Sequence, residues 1–226
     1  MGTTINNFKE IPIIINNFNR LSFLQLQIDA LEKRGYNNIY IIDNNSTYPP
    51  LLDYYNKTPY KVFRLNENVG FLSLWKTGIY KKFKNQYFVY TDSDVVPIDE
   101  CPNDVLEHFW RLMQRYPRAS KIGFSLKIDD LPDSFVNKAQ VVTWEQQFWQ
   151  KSLSQDLFLA SIDTTFALYR PNVKGGANFG EFMIRTGGKY TARHMPWYND
   201  DNNLSEEERF YINSSQTSTY WTKKSH

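Results

Sequence analysis

The sequence predicts an α/β protein: one domain over residues 1–226, with helices packed on a mostly parallel central sheet. Three observations carry this. Short apolar, β-branched runs alternate with helical periodicities at intervals of roughly 25 residues, the rhythm of right-handed strand–helix–strand crossovers. Each of the first four runs empties into Asn, Asp or Ser. No internal repeat or linker divides a chain long enough for one well-cored domain.

The elements follow in order. "IPIIINN" (11–17) is a strand. Residues 20–35 are a helix, with Leu21, Leu24, Ile28 and Leu31 at helical spacing and Gly35 as its stop. "NIYIID" (38–43) is a second strand, and Pro49 suits the first turn of a short helix. "YKVFRL" (60–65) is a third strand, 70–83 a helix despite Gly78, and "QYFVYT" (86–91) the fourth strand. The second half is less regular. Helices are predicted over 102–117, between two prolines, and over 134–153; strands over 121–126 and, as one or two, over 157–170. "KGGANFGE" and "RTGGKYTARHMPWY" read as glycine-rich loops, and Ser205 before Glu206–Glu208 reads as a helix cap.

Composition narrows the function classes. A net charge of +2 gives no general nucleic-acid surface. One cysteine, Cys101, excludes an internal disulfide and a CxxC zinc site, and points to a reducing cytoplasm. There is no signal peptide and no run approaching the ~18 apolar residues of a membrane span. "MGTTIN" has Asn6 where a myristoylation site wants Ser or Thr.

In a parallel sheet all strands end at one rim, where open α/β sheets bind ligands. Here the rim collects Asn16 and Asn17, then Asp43, Asn44 and Asn45, then Asn66 and Asn68, then Asp92, Ser93 and Asp94. Turn and cap chemistry favours the same residues one turn at a time; four such turns together favour a polar, nucleotide-sized site. "YFVYTDSDVVP" (87–97) adds two like charges, Asp92 and Asp94, which repel unless a cation lies between them. In an extended segment residues two apart share a face. Two carboxylates completed by phosphate oxygens and water suit Mg²⁺ or Mn²⁺. A bare DxD occurs by chance in many chains; one that closes an apolar strand at the ligand rim is more specific.

On "IIINNFNR", "YIIDNNST", "NENVGF" and "YTDSDVVP", covering residues 11 to 97, the chain resembles a glycosyltransferase of the GT-A (Rossmann-like) fold, close to family 2. The resemblance implies transfer of a sugar from a nucleoside diphosphate, UDP by family habit, to a hydroxyl of a glycan or lipid-linked acceptor. Residues of about 11–100 would hold the nucleotide, and about 101–226 the acceptor. It places Asp43 on the base and Asn66, Asn68 and Gly70 along the nucleoside. Asn17, Asn19, Arg20 and Asn45 join them on the nucleotide sugar. Asp92 and Ser93 would meet ribose and metal, and Asp94 the metal. Lys76 stands where the family often has Arg, within Leu74-Trp75-Lys76 rather than Ala-Arg-Asn.

For an inverting transfer a general base is required. Asp163 is the first candidate, with Glu145, Asp129 and Asp130 as rivals and a turn-capping role as its alternative. His194 matches the late-loop histidine that often completes the metal site in such enzymes, against a merely packed imidazole. Arg193, with Lys189, suits a diphosphate. Trp197 is the candidate acceptor platform, against core packing. Two other classes stay open: a haloacid-dehalogenase-type phosphatase, with Asp92 as nucleophile and Asp94 as acid–base, and a non-catalytic carbohydrate- or nucleotide-binding module. A calcium EF-hand and a GxGxxG dehydrogenase lack their required glycines.

Overall fold

The computed structural model describes residue 5 and residues 7–162, 165–173 and 182–215. Strand β1 (Ile13–Asn17) pairs in parallel with β2 (Ile39–Asp43), Ile13 against Ile39 through Asn17 against Asp43. The crossover is α1 (Ser22–Glu32), which buries Phe23, Leu24, Gln27, Ile28 and Leu31. Its chain reverses at Gly35, whose φ of 80° is the left-handed conformation expected of a stop. Helix α2 (Pro49–Lys57) starts on its prolines and leads to β3 (Lys61–Arg64), parallel to β2.

The helix expected over 70–83 is three short pieces instead: a 3₁₀ turn at Gly70–Leu72, α3 (Ser73–Lys76), and a second 3₁₀ turn at Ile79–Lys82. Gly78, at φ 75°, breaks the run. Strand β4 (Phe88–Asp92) then lies parallel to β1 on its free side, with Asp92 opposite Asn16. Ile13 and Ile15 enter the apolar cluster on one face of the sheet and Ile14 the cluster on the other. That two-sided burial is why β1 reads as an unbroken apolar run, and each such side chain contributes roughly 1.5–3 kcal/mol.

After β5 (Val95–Pro97), α4 (Val105–Arg115) begins three residues beyond Pro102 and covers β6 (Lys121–Leu126), every residue of which is buried. The long helix expected over 134–153 is α5 (Lys138–Glu145) and a 3₁₀ turn at Gln146–Trp149; the chain then enters a hairpin of β7 (Ser152–Ser154) and β8 (Leu157–Leu159). Strand β9 (Ala167–Tyr169) inserts antiparallel between β4 and β6. Gly123 permits this, since a Cβ there would stand 2.5 Å from the Phe166 carbonyl oxygen.

The largest correction is at 185–198. Most of it is strand: β10 (Met183–His194) runs parallel to β6, bulges between Thr186 and Thr191 around Gly187 and Gly188, and ends antiparallel to β5. The glycines allow the bulge, and Gly188 takes φ 57°. Helix α6 (Glu206–Ser214) follows, with the Ser205 hydroxyl accepting from the Glu208 amide as expected of a cap. One ten-stranded mixed sheet results, in the order β3-β2-β1-β4-β9-β6-β10-β8-β7 with β5 on β10. The expected α/β class stands: the block β3-β2-β1-β4 is parallel, and the antiparallel pairings gather beyond it.

Candidate functional site

The carboxyl ends of β1, β2 and β4 are tied into one polar lattice. Asn16 donates to Asp92 Oδ1 (3.1 Å) and accepts from Asn44 (2.5 Å) and Ser73 (2.6 Å). Asn17 donates to the Tyr55 hydroxyl (2.8 Å) and accepts from Ser93 (2.6 Å). Burial drives the Tyr55 and Tyr90 hydroxyls well above their usual range, so both stay protonated, and Tyr90 donates to the Phe71 carbonyl at 2.7 Å. Asn19, at φ 49° and fully buried, makes three side-chain hydrogen bonds: its oxygen accepts from the Thr47 and Tyr48 amides and its nitrogen donates to Ser214. Its work here is to clamp loops.

Asp43 is fully buried; one oxygen accepts from the Ser46 amide (3.0 Å), and the other has no hydrogen-bond partner, with Arg64 at 3.4 Å. Asn45, Asn66, Asn68 and Lys76 are exposed. Asn68 accepts from the Gly70 amide, and Lys76 donates to the Val69 carbonyl. Gly70 takes φ 76° beside open space.

The acidic motif differs in shape from the extended segment expected of it. Asp92 ends β4, but Ser93 and Asp94 form a tight turn into β5, so the two carboxylates do not simply share one strand face. Gln27 fastens this turn, donating to the carbonyls of Asp92 (2.9 Å) and Val95 (2.6 Å). Nor does the chain leave the two charges uncompensated. Asp92 takes the Asn16 hydrogen bond, while Asp94 Oδ2 accepts from Arg20 (2.7 Å) and lies 3.5 Å from His194 Nε2. Burial alone would raise the Asp94 pKa; His194 and Arg20 outweigh it and lower it to about 2. His194 arrives on a strand rather than a loop, because the β10–β5 pairing sets it opposite Val95, the residue after Asp94.

Arg20 is the hub. It is buried, meets Glu208 through Nε (2.8 Å) and Nη2 (2.9 Å), and stacks 3.7 Å over the Tyr211 ring. Glu207, beside it on α6, accepts from the Ser22 amide (2.9 Å) at the start of α1, where a helix end favours negative charge. Reading the sequence missed Gln27 and both glutamates. Gln27 had a signal, a polar residue on the apolar stripe Leu24–Ile28–Leu31; Glu207 and Glu208 looked like a solvated first turn.

The other candidates are dispersed. Arg193 is engaged with Asp130 (2.6 Å), which also accepts from the Tyr198 hydroxyl (2.5 Å). Trp197 is corrected as a stacking platform: it is 3 % exposed, in the core cluster with its ring 4.6 Å from that of His194. Glu145 is buried against Arg185 (3.0 Å), and Asp129 is a surface partner of Lys127. Asp163 lies outside the described residues.

Among the described residues no three carboxylate, imidazole or thiol groups converge to hold an ion unaided. A pair does fit one. Asp94 Oδ2 and His194 Nε2 stand 3.5 Å apart, and a carboxylate with an imidazole is a donor pair that would suit Mn²⁺. Asp94 Oδ1 is buried without a hydrogen-bond partner and offers a further lone pair.

Comparison with known proteins identifies the setting. No curated protein matches the sequence. Among solved structures, GalNAc-T7 with UDP, GalNAc and Mn²⁺ aligns at TM-score 0.50 and 14 % identity, over 84 % of this chain and 44 % of that one. TarS 1–349 of S. aureus gives 0.43 at 15 % identity (72 % and 47 % covered). Glucosyl-3-phosphoglycerate synthase from Mycobacterium tuberculosis, in complex with phosphoglyceric acid, gives 0.44 at 9 % (71 % and 56 %). The chain thus spans about half the length of these structures, and the first supports the GT-A fold and no more than the fold. The model of glycosyl transferase family 2 matches residues 13–171, which takes in every strand from β1 to β9 with the acidic turn at their centre, and disfavours the phosphatase alternative. The chain belongs to glycosyl transferase family 2.

Proposed function

We propose that this protein is a divalent-metal-dependent glycosyltransferase, moving a sugar from a nucleoside diphosphate, UDP foremost, to a hydroxyl of a glycan or lipid-linked acceptor. One observation carries the reading: in a family 2 chain, a buried carboxylate with an unpartnered oxygen and an imidazole 3.5 Å away meet at the carboxyl rim of a parallel sheet. Asp43, whose Oδ2 has Arg64 at 3.4 Å, would accept from the base, Asn66, Asn68 and Gly70 would border the nucleoside, and Asp92 and Ser93 would face the ribose. Asp94 and His194 would hold Mn²⁺ or Mg²⁺, with diphosphate oxygens and water completing the shell; bound there, the ion would neutralise the departing diphosphate.

In an inverting displacement the acceptor oxygen bonds to the anomeric carbon, the bond to the diphosphate breaks with its electron pair, and a base takes the acceptor proton. Asp163 is assigned that role. Residues of about 11–100 and 101–226 would form the donor and acceptor halves of one domain. Among the described residues no helix is long and apolar enough to cross a membrane; we place the protein in the cytoplasm, peripheral to a membrane where the acceptor is lipid-linked.

The test is a thermal-shift panel of UDP, GDP, CDP and dTDP with and without Mn²⁺, followed by nucleoside diphosphate release from sugar donors. A ligand at ~100 times its Kd adds about 2.7 kcal/mol, and UDP with Mn²⁺ is expected to do so in wild type but not in Asp94→Asn. Stabilisation without turnover of any donor would favour the binding module; no stabilisation by any nucleotide would overturn the reading.

A further inference from the structure

We propose that Glu208 of α6, acting through Arg20, is a positioning residue that decides which Asp94 oxygen is left open to a divalent cation. The inference rests on the proposed metal role of Asp94 and concerns residues on which that role is silent.

A guanidinium presents its N–H groups as a rigid fork, and its preferred partner is one carboxylate held by both tines. Arg20 does not treat Asp94 that way. Its Nε–Nη2 edge is taken by Glu208, at 2.8 and 2.9 Å. The Tyr211 ring, three residues further along α6, fixes its plane from a distance of 3.7 Å. Glu208 is in turn held by Asn199, whose amide nitrogen donates to Oε2 at 3.2 Å. Held in that orientation, Arg20 meets Asp94 through Nη1, which reaches Oδ2 alone, at 2.7 Å. Oδ1 stays buried without a hydrogen-bond partner. With Glu208 neutralised, the fork is released to turn and close on both Asp94 oxygens, and the arginine becomes a competitor of the cation.

Two substitutions therefore shift metal affinity in opposite directions. Glu208→Gln should weaken Mn²⁺ binding, within the range of about 10–100-fold that outer-shell changes produce. Arg20→Met removes the competitor, leaves both Asp94 oxygens to the ion, and should tighten it. Free Mn²⁺ counted by electron paramagnetic resonance, with metal alone and no sugar donor, reads both; circular dichroism melts confirm that each variant is folded. A purely structural role predicts a loss in both variants or in neither. If wild type binds Mn²⁺ and Glu208→Gln binds it within twofold, the positioning role is refuted and the metal site survives. If wild type binds no Mn²⁺, the metal site and this inference fall together.

Discussion

Replacing Arg20 by methionine tests the buried junction independently of any ligand. Asp94 and Glu208 are 8 % and 5 % exposed, and Arg20 is the cation that both of them contact. Methionine keeps much of the stem volume but strands two carboxylates. Removing one partner of a buried ion pair costs about 3–5 kcal/mol. His194 stands near Asp94, and Asn199 still donates to Glu208, so the lower part of that range is the expectation for each. The two together come to about 6 kcal/mol, and for a chain of this size about 1 kcal/mol moves Tm by roughly 2–4 °C, so Arg20→Met should melt about 12–24 °C below wild type. The double variant Arg20→Met with Glu208→Gln strands only Asp94, and should recover about 1–3 kcal/mol of the loss as a coupling energy. Urea melts followed by tryptophan fluorescence measure all three. Added Mn²⁺ should stabilise Arg20→Met more than wild type, since it replaces the missing charge. A loss below about 1 kcal/mol with no coupling to Glu208 would mean that the carboxylates are hydrated, and would refute the account of the junction.

Three further outcomes follow from the packing. Gly123→Ala drives a Cβ to 2.5 Å from the Phe166 carbonyl oxygen and should cost about 1–3 kcal/mol; Gly78→Ala meets nothing within 4 Å and should cost only the left-handed penalty of about 1–2 kcal/mol, both read as Tm shifts. Trp197→Ala should lose about 3–5 kcal/mol as a core truncation, while Trp197→Phe leaves the acceptor KM within about twofold, because the ring packs inward. Burial pushes the Cys101 thiol up to about 11. At pH 8 only about one part in 10³ is thiolate, so labelling by a disulfide reagent should be slow in native protein, rise steeply toward pH 11, and become fast at pH 8 in urea.

The first half of the fold was legible because β1, β2 and β4 are buried on both faces and write themselves as apolar runs, Ile13–Ile15 and Phe88–Tyr90 among them. Beyond residue 100 the code weakens. β10 carries Arg185, Thr186, Gly187 and Gly188 inside a strand, where a buried ion pair and a bulge replace apolar alternation, so it read as a loop. β8 and β9 both fall within 157–170, read as one or two strands, but three residues each are too few to announce that β9 wedges between β4 and β6. At the candidate site, the acidic turn was visible from Asp92 and Asp94. The Arg20–Glu208 pair behind it was not, since Arg20 looked like a nucleotide contact and Glu208 like surface. Their pairing is a fact of tertiary structure that no local pattern encodes.

That junction also bears on the order in which the molecule is finished. Arg20 meets Asp94 across 74 residues and Glu208 across 188. Closing the longer loop adds little entropy beyond the shorter, because the cost grows only logarithmically. Time is another matter: at about 5–20 residues per second, about 6–23 s of synthesis separate the emergence of residue 94 from that of residue 208. Through that interval the nascent β1–β4 layer has its arginine and its aspartate but lacks the helix that orients them. The rim takes its final form last, once the distant end of the polypeptide has docked.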